Sequence, residues 1–286
     1  MMYSMININK SFDDDLKIVP WWSFGKTVLA TAVFKLIDQK KLDINKNYYG
    51  LKGTLKQLLR HEAGLPDYAS SKLYHEAVLK NDMPWSFDDM VEITGSGKLL
   101  FEPGEGWQYS NIGYYYISKL IEETTQMELE DALCDLLFTP LGINDVKVAL
   151  DASDLSGCIH VKKEYKPRWL YHGMIIGSLR SACLFLHELA TGNLISQSSF
   201  EIMQETYDLY FDIGNRPWKK PSYAHGLMID HQEGVDYSIG HTGMGPDSVI
   251  AVYHYFTPPC TVAVSMETND QGIVEFEVEK LRKVQV

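Results

Sequence analysis

Residues 22–37 have the sequence WSFGKTVLATAVFKLI, which combines a helical pattern with a serine and a lysine at its start. From Thr27 onward, apolar pairs recur every four residues, which predicts a helix ending near Gln39. Ser23 and Lys26 stand three positions apart at its start, so their side chains are expected on one face. A serine hydroxyl needs a neighbouring base to act as a nucleophile, and a buried, neutral lysine is such a base. The pattern predicts a nucleophile and its base, with a surface or helix-capping serine as the alternative.

A second segment offers further polar groups for the same chemistry. Tyr109 and Asn111 lie between the Pro- and Gly-containing loop at 101–106 and a predicted helix over 112–125. A phenol can pass on a proton if a nearby ammonium stabilises its anion, and an amide can bind a substrate carbonyl or the lysine. Taken alone, Tyr109 also fits a packed aromatic residue.

A third segment, His241-Thr242-Gly243, is predicted to end one β-type run and precede another. Glycine at this place allows a substrate to lie against the strand edge. The next backbone N–H group, that of Met244, can then help to hold an oxyanion. Taken alone, His241 also fits a hydrogen-bonded loop histidine.

Strand-like runs occur near both ends of the chain, and helical periodicity lies between them. The runs that predict strands are 3–8, 16–21, 223–230, 235–240, 249–256 and 261–268. Helices are predicted over 54–61, 72–100 with breaks, 112–125, 128–138, 181–191, 198–206 and 273–281, with a loop-rich part at 139–177. This order predicts an α/β fold of the α+β type, as one domain over 1–286. Its central antiparallel sheet would come from about 1–45 and 207–286 and be flanked by helices, with a mainly helical region inserted over about 46–206.

The charge balance excludes several classes of partner. Lys and Arg number 26 against 38 Asp and Glu, which gives a net charge of −12. That excess argues against binding to nucleic-acid phosphates or to an anionic membrane surface. The chain has no apolar run of about 18 residues, and its first residues lack the basic start and apolar stretch of a signal peptide. We therefore expect a soluble, cytoplasmic protein with neither partner, and its oligomeric state is left open.

No metal or cofactor is expected. The cysteines form no C-x-x-C pair, so four reduced, buried thiols are expected, with a distant disulfide left open. Gly95-Ser96-Gly97-Lys98 has Glu92 where a phosphate-binding loop needs glycine, and no G-x-S-x-G sequence is present. The four cysteines are Cys134, Cys158, Cys183 and Cys260.

Together the three segments resemble the motifs of the penicillin-recognising serine hydrolases. Ser23-x-x-Lys26, Tyr109-x-Asn111 and His241-Thr242-Gly243 occur in the family's order and are most similar to its class C β-lactamase-like branch, with DD-peptidases and esterases. Residues 58–65 resemble the segment L-L-x-H-x-S-G-L, with alanine in place of serine, and residues 101–113 resemble F-x-P-G-x-x-x-x-Y-S-N-x-G. The likeness extends over about residues 17–268 and implies a β-lactamase/DD-peptidase-like fold.

The resemblance also implies roles for individual residues. Ser23 would attack an ester or amide carbonyl, while Lys26 and Tyr109 share the proton transfers. The N–H groups of Ser23 and Met244 would hold the oxyanion, Asn111 would orient the substrate, and the third motif would line the far wall. The expected catalytic residues are thus Ser23, Lys26 and Tyr109, and the expected substrate-binding residues are Asn111, His241, Thr242, Gly243 and Met244.

The leading hypothesis is a serine hydrolase that cleaves a small ester, amide or D-amino-acid peptide through an acyl-enzyme. The alternative is a ligand-binding or sensor protein of the same fold that is non-catalytic or acylates slowly. A true β-lactamase is less favoured, because His241 stands where many β-lactamases have a lysine that binds the substrate carboxylate. Histidine is mostly neutral at pH 7, and the net charge of −12 repels anions at long range.

Overall fold

The computed structural model describes residues 1–6, 14–232 and 236–283. Its strands, numbered in chain order, all pair antiparallel. They are β1 (Met2–Ile6), β2 (Ile18–Pro20), β3 (Lys147–Ala149), β4 (Met174–Ser178), β5 (Tyr207–Asp208), β6 (Pro221–Tyr223), β7 (Met228–Gln232), β8 (Asp236–Gly245), β9 (Ser248–Phe256) and β10 (Pro259–Met266).

A seven-stranded sheet forms the centre of the molecule, in the order β1-β10-β9-β8-β7-β6-β5. The first strand pairs with the last, with Met2 opposite Ser265, so both ends of the chain contribute to one sheet. Alternate side chains of β9 face opposite sides, and both sides are buried. Ile250 and Val252 belong to the larger apolar core, whereas Val249 belongs to a smaller core beneath the last helix.

Helices cover both faces of this sheet. They are α1 (Gly25–Asp38), α2 (Leu55–Leu59), α3 (Lys72–Leu79), α4 (Phe87–Ile93), α5 (Asn111–Thr125), α6 (Leu129–Leu133), α7 (Leu179–Ala190), α8 (Gln197–Met203) and α9 (Gln271–Lys283). Helix α7 packs on β1, β9 and β10, and α9 packs on β8, β9 and β10. Helix α1 is buried along most of its length and contacts α5, α6, α8 and β8. The predicted mixed α/β fold, with a large antiparallel sheet flanked by helices, is confirmed.

A second, three-stranded sheet differs from the prediction. Strand β2, which was expected in the central sheet, pairs instead with β4. Strand β4 also pairs with β3. The segment 139–177 was expected to be loop-rich, yet it contributes β3 and most of β4. A three-residue strand such as β3 is too short to show alternation, which explains why the sequence does not reveal it. The single-domain assignment over 1–286 stays a prediction.

Several predicted elements change at their boundaries. The helical stretch 72–100 is two helices, α3 and α4, with Ser86 capping the second. Helix α6 ends at Leu133 and continues as a π-helical turn over Cys134–Phe138. Of the predicted strand 3–8, residues 7 and 8 lie outside the described part of the chain. All four cysteines are free, but only two of them are buried, because Cys134 and Cys158 are partly exposed. None of the described helices has the length and apolar character needed to cross a membrane.

Candidate active site

Ser23 lies in a 3₁₀ turn, Trp22–Phe24, directly before α1. Trp22, the residue before it, has a φ of 43°, a left-handed conformation that is unusual for a bulky residue. The indole of Trp22 is buried, donates a 3.0 Å hydrogen bond to Ser248 Oγ and packs edge-on against Tyr165. These contacts hold the strained turn that presents the half-buried Ser23 side chain.

Lys26, in the first turn of α1, places its amine next to Ser23. Its Nζ lies 3.2 Å from Ser23 Oγ and 2.6 Å from Asn111 Oδ1, and its side chain is fully buried. Burial lowers the pKa of Lys26 to about 7, against the opposing effect of the Asp67 carboxylate. Near neutral pH, a large share of Lys26 therefore carries a free lone pair.

Tyr109 lines the same cavity as Ser23, and its ring centroid lies 4.9 Å from Lys26 Nζ. Burial raises the pKa of Tyr109 well above its ordinary value, and its interaction with the Ser23 side chain only partly offsets this. The resting phenol is therefore protonated, so Tyr109 is suited to donate a proton while Lys26 accepts one.

Asn111 begins α5, where Ser110 caps the helix by accepting from Gly113 N. Its side-chain oxygen faces Lys26, while its Nδ2 donates to Asp67 Oδ1 at 3.0 Å. Asp67 also accepts from the backbone N–H of Asn111 at 3.2 Å, which fixes the orientation of the amide. No sequence pattern pointed to Asp67, whose role depends on a contact between distant segments.

Strand β8 forms the wall opposite α5. It continues to Gly245, so the motif at 241–243 lies inside the strand, whereas the sequence predicted that the strand ends at 240. A Cβ atom on Gly243 would stand 2.6 Å from Ser23 N and 2.6 Å from Trp21 O. The strand therefore packs directly on the turn that carries Ser23. Met244 follows, with a side chain that is 45% exposed and lines the cavities described below.

His241 and Thr242 are engaged by other protein groups. His241 is fully buried, with Nδ1 2.7 Å from Thr242 O and Nε2 3.1 Å from the Tyr223 hydroxyl. Burial, helped by the charge of Lys26, lowers the pKa of His241 to about 3, so the imidazole is neutral. The Thr242 hydroxyl donates to the Glu275 carboxylate and lies 2.9 Å from the Tyr253 hydroxyl.

Glu275, on α9, is a residue that sequence reasoning missed. Its carboxylate is fully buried and accepts from Arg216 Nε at 2.7 Å and Trp218 Nε1 at 3.0 Å, besides Thr242. The sequence gives only amphipathic periodicity there, which does not reveal a buried charge. Glu275 and Arg216 therefore form an ion pair next to Thr242 of the third motif.

His61 is a third residue to which sequence reasoning gave no role, although it lies within the family-like stretch 58–65. It is buried among four aromatic rings and accepts at Nδ1 from Ser110 N at 3.1 Å. The nearest ring is that of Tyr109, with centroids 4.3 Å apart. His61 therefore supports the loop that carries Tyr109. The four rings belong to Trp107, Tyr109, Tyr114 and Tyr223.

Ser23 stands where two cavities meet. The first has a volume of about 400 Å³ and its aromatic lining comprises Trp107, Tyr109, Phe211, Trp218, Tyr223 and Tyr253. The second has a volume of about 490 Å³ and its aromatic lining comprises Trp22, Tyr68, Tyr74 and Tyr165. Ser23, Ala69, Asn111 and Met244 line both. Within the described ranges, no three His, Cys, Asp or Glu side chains are grouped to hold a metal ion.

The structure thus brings together all eight residues singled out from the sequence. A comparison with protein families matches residues 15–284 to the family model Beta-lactamase. The chain belongs to the beta-lactamase family. The resemblance drawn from the three motifs is therefore confirmed, while the role of each residue stays a prediction.

Curated relatives of this beta-lactamase family member match it over limited segments. It is 36% identical over 100 residues to Penicillin-binding protein 4* of Bacillus subtilis (strain 168), over 33% of this chain and 21% of the relative. It is 27% identical over 140 residues to Protein flp of Staphylococcus aureus (strain MW2), over 49% of this chain and 26% of the relative. The matched part thus spans about a fifth to a quarter of each relative's length.

Solved structures match this beta-lactamase family member over nearly its whole length. The D-amino acid amidase from Ochrobactrum anthropi SV3 superposes with a TM-score of 0.80 at 19% identity, covering 99% of this chain and 94% of the amidase. The penicillin binding protein from Bacillus halodurans superposes with a TM-score of 0.79 at 15% identity, covering 99% and 96%. These two proteins and the family member share one fold.

Proposed function

We propose that this protein is a serine hydrolase that cleaves a small ester or amide through a covalent acyl-enzyme on Ser23. The observation that carries the proposal is a buried amine that lies 3.2 Å from the Ser23 hydroxyl and 4.9 Å from the ring of the protonated Tyr109 phenol. Both neighbours have the protonation state that their role requires at neutral pH. The meeting of two cavities at Ser23 gives an acyl group and a leaving group separate places.

Acylation begins when neutral Lys26 takes the proton of the Ser23 hydroxyl. The Ser23 oxygen forms a bond to the substrate carbonyl carbon, and the carbonyl electrons move to the oxygen, which the N–H groups of Ser23 and Met244 stabilise. As that tetrahedral species collapses, the bond to the leaving oxygen or nitrogen breaks. Tyr109 donates its proton to the leaving group and regains one from the Lys26 ammonium, which balances the step.

Deacylation uses the same groups in the reverse direction. Lys26 takes a proton from a water molecule while the water oxygen bonds to the acyl carbon. The bond between that carbon and Ser23 Oγ then breaks, and Ser23 recovers its proton from the Lys26 ammonium, which returns to the neutral amine. The products are a carboxylic acid and the free serine, so no cofactor enters the balance.

The third motif supports a substrate whose leaving part carries no carboxylate. His241 is neutral and both of its ring nitrogens have partners, and the hydroxyl proton of Thr242 is donated to Glu275. The Arg216 charge is paired with the same Glu275. A carboxylate placed here would therefore meet a neutral imidazole and would compete with Glu275 for the Arg216 charge and the Thr242 hydroxyl. A neutral ester or amide fits better than an anionic β-lactam, and the likeness to a D-amino acid amidase supports an amide.

Turnover of four substrates tests the proposal: p-nitrophenyl acetate, D-phenylalanine amide, a cephalosporin and a D-Ala-D-Ala peptide. We expect turnover of the ester or the amide and labelling by a fluorescent fluorophosphonate, both lost in Ser23→Ala. Ser222→Ala is the matched control, since Ser222 lines the same cavity but its hydroxyl donates to Ile229 O. Equal labelling of wild type and Ser23→Ala would refute the assignment of the nucleophile.

The same experiment separates an enzyme from a sensor. Rapid labelling of Ser23 with no turnover of any substrate would support the non-catalytic reading. Turnover of the cephalosporin above that of the ester would overturn the inference about the third motif. The cytoplasmic location predicted from the sequence stays a prediction.

A further inference from the structure

His172, which no motif singled out, is buried beside the catalytic amine. It lies in the turn before β4 and has no measurable exposure to solvent. Its Nε2 stands 3.5 Å from Lys26 Nζ. Its Nδ1 has no hydrogen-bond partner among the described residues. Among the described residues, Lys26 is thus the one side chain within hydrogen-bond distance of this imidazole.

The hydrogen-bond geometry around Lys26 leaves one choice open. A neutral amine has two N–H groups and one lone pair, and three groups surround it: Asn111, Ser23 and His172. The Nδ2 group of Asn111 donates to Asp67, so the side-chain oxygen of Asn111 faces Lys26. This oxygen accepts one of the two N–H groups of the amine. The other N–H group and the lone pair are left for Ser23 and His172. Ser23 loses its proton to Lys26 only if the lone pair faces Ser23.

We propose that His172 is a positioning residue that accepts the second N–H group of Lys26 at Nε2 and so directs the lone pair of the amine towards Ser23. This inference rests on the proposed role of Ser23 as nucleophile. With the other tautomer, Nε2–H would donate to the lone pair, and the Ser23 hydroxyl would face an N–H group instead of a base. The tautomer with the proton on Nδ1 is therefore the reactive one.

The surroundings keep the imidazole uncharged, as this role requires. Burial, followed by the charges of Lys26, His241 and His61, holds the pKa of His172 well below its ordinary value. The one acidic group that acts on Lys26 is Asp67, which favours the ammonium. The remaining titratable groups near the amine are the phenols of Tyr109 and Tyr114.

Two variants of equal length test this role. His172→Gln keeps an acceptor oxygen near the position of Nε2, whereas His172→Met does not. We expect kcat/KM of His172→Met for p-nitrophenyl acetate to fall about tenfold through kcat, with KM little changed, because general-base catalysis is partly lost. The acidic limb of the pH profile of kcat/KM for His172→Met should move to lower pH. In the wild type, the acceptor Nε2 stabilises the Lys26 ammonium more than the neutral amine, and the variant lacks this acceptor. His172→Gln should retain most of the rate.

His225→Met is the matched control, because His225 is also fully buried with one unpartnered ring nitrogen but contacts Phe34 and Met203 instead of Lys26. Equal rates and pH profiles in the Gln, Met and control variants would overturn the role of His172. If the wild-type enzyme also fails to label at Ser23, the proposed function itself fails, which is a different result.

A measurement on the wild-type protein does not depend on the folding of any variant. Nitrogen NMR of ¹⁵N-histidine-labelled protein, with His172→Gln used to assign the signal, reports which ring nitrogen carries the proton. We expect an unprotonated Nε2 above the pKa of Lys26. A protonated Nε2 would overturn the inference. If His172→Gln does not fold, the signal of His172 can be assigned in protein that also carries labelled lysine, because its ring lies close to the Lys26 side chain.

Discussion

In the mechanism proposed above, the amine of Lys26 determines the pH range in which Ser23 can react. Burial lowers the pKa of Lys26 to about 7, and Asp67 limits the shift. The neutral amine is the base, so the rate of acylation should rise with pH through this value. Tyr109 adds no ionisation in the same range, because its pKa is raised.

We therefore expect kcat/KM for p-nitrophenyl acetate to show an acidic limb with an apparent pKa near 7. Asp67→Asn should move this limb to lower pH, since it removes the negative charge that favours the ammonium. The measurement is the pH profile of both proteins, with thermal unfolding to verify the fold. A rate that does not change between about pH 6 and pH 8 would contradict the role of Lys26.

Two glycines near Ser23, Gly243 and Gly25, differ in the space available for a side chain. At Gly243 a Cβ atom would collide with backbone atoms on both sides, 2.6 Å from Ser23 N and Trp21 O. At Gly25 a Cβ atom would stand 3.5 Å from the Ile175 side chain, an ordinary contact. Gly25 also lies within α1, where glycine costs more backbone entropy than alanine.

We expect Gly243→Ala to slow labelling of Ser23 at least tenfold and to lower the free energy of unfolding by about 1–3 kcal/mol, because strand β8 must move away from the turn. Gly25→Ala should label normally and gain about 0.5–1 kcal/mol. Chemical denaturation and labelling rates measure both effects. A Gly243→Ala protein that labels at the wild-type rate would show that β8 does not align the nucleophile.

Among the elements, α9 acts on the site through Glu275. Helix α9 packs on β8, and the Glu275 carboxylate forms an ion pair with Arg216. The same carboxylate accepts a hydrogen bond from the Thr242 hydroxyl. If the third motif binds substrate as proposed, we expect this helix to limit which donors the motif can offer.

Replacing Glu275 by glutamine should have two effects. The free energy of unfolding should fall by about 3 kcal/mol, since the partly buried Arg216 loses its counter-charge. The ratio of kcat/KM for the cephalosporin to that for p-nitrophenyl acetate should rise at least tenfold, because a cation and a hydroxyl become available to a carboxylate. Glu279→Gln on the same helix, bonded to the Tyr255 hydroxyl, is the matched control. An unchanged ratio would refute the explanation of substrate preference by Glu275.

At the scale of the whole molecule, β1 completes the central sheet. It pairs with β10 from Met2–Ser265 to Ile6–Thr261, so it covers the edge of a strand whose residues are mostly buried. Unpaired edges of this kind associate with other strands.

Removal of residues 1–6 should therefore lower the temperature of unfolding and cause self-association. Differential scanning calorimetry and size-exclusion chromatography measure the two effects. The substitution Ser4→Ala is the control, because it keeps the backbone pairing of β1. A truncated protein that stays monodisperse and equally stable would show that β10 does not need this cover.

The sequence predicts the fold and most of the site because motif residues and periodic elements carry local signals. Ser23 and Lys26 share one helix turn, and β9 and β10 were predicted within two residues of their observed bounds. Asp67, His172 and Glu275 carry no such signal, since each acquires its role by contacting a distant segment. The length of β8 was also underestimated, because glycines at 240, 243 and 245 resemble turn residues and here allow close packing.

The contact between Gly243 and Ser23 has a consequence for the newly synthesised chain. Ser23, Lys26, Tyr109 and Asn111 leave the ribosome well before β8 does. Until that strand docks, the emerging polypeptide carries Ser23 and Lys26 without the strand that packs on their turn. On the proposed roles of these residues, we therefore expect Ser23 to become reactive only after β8 has been synthesised.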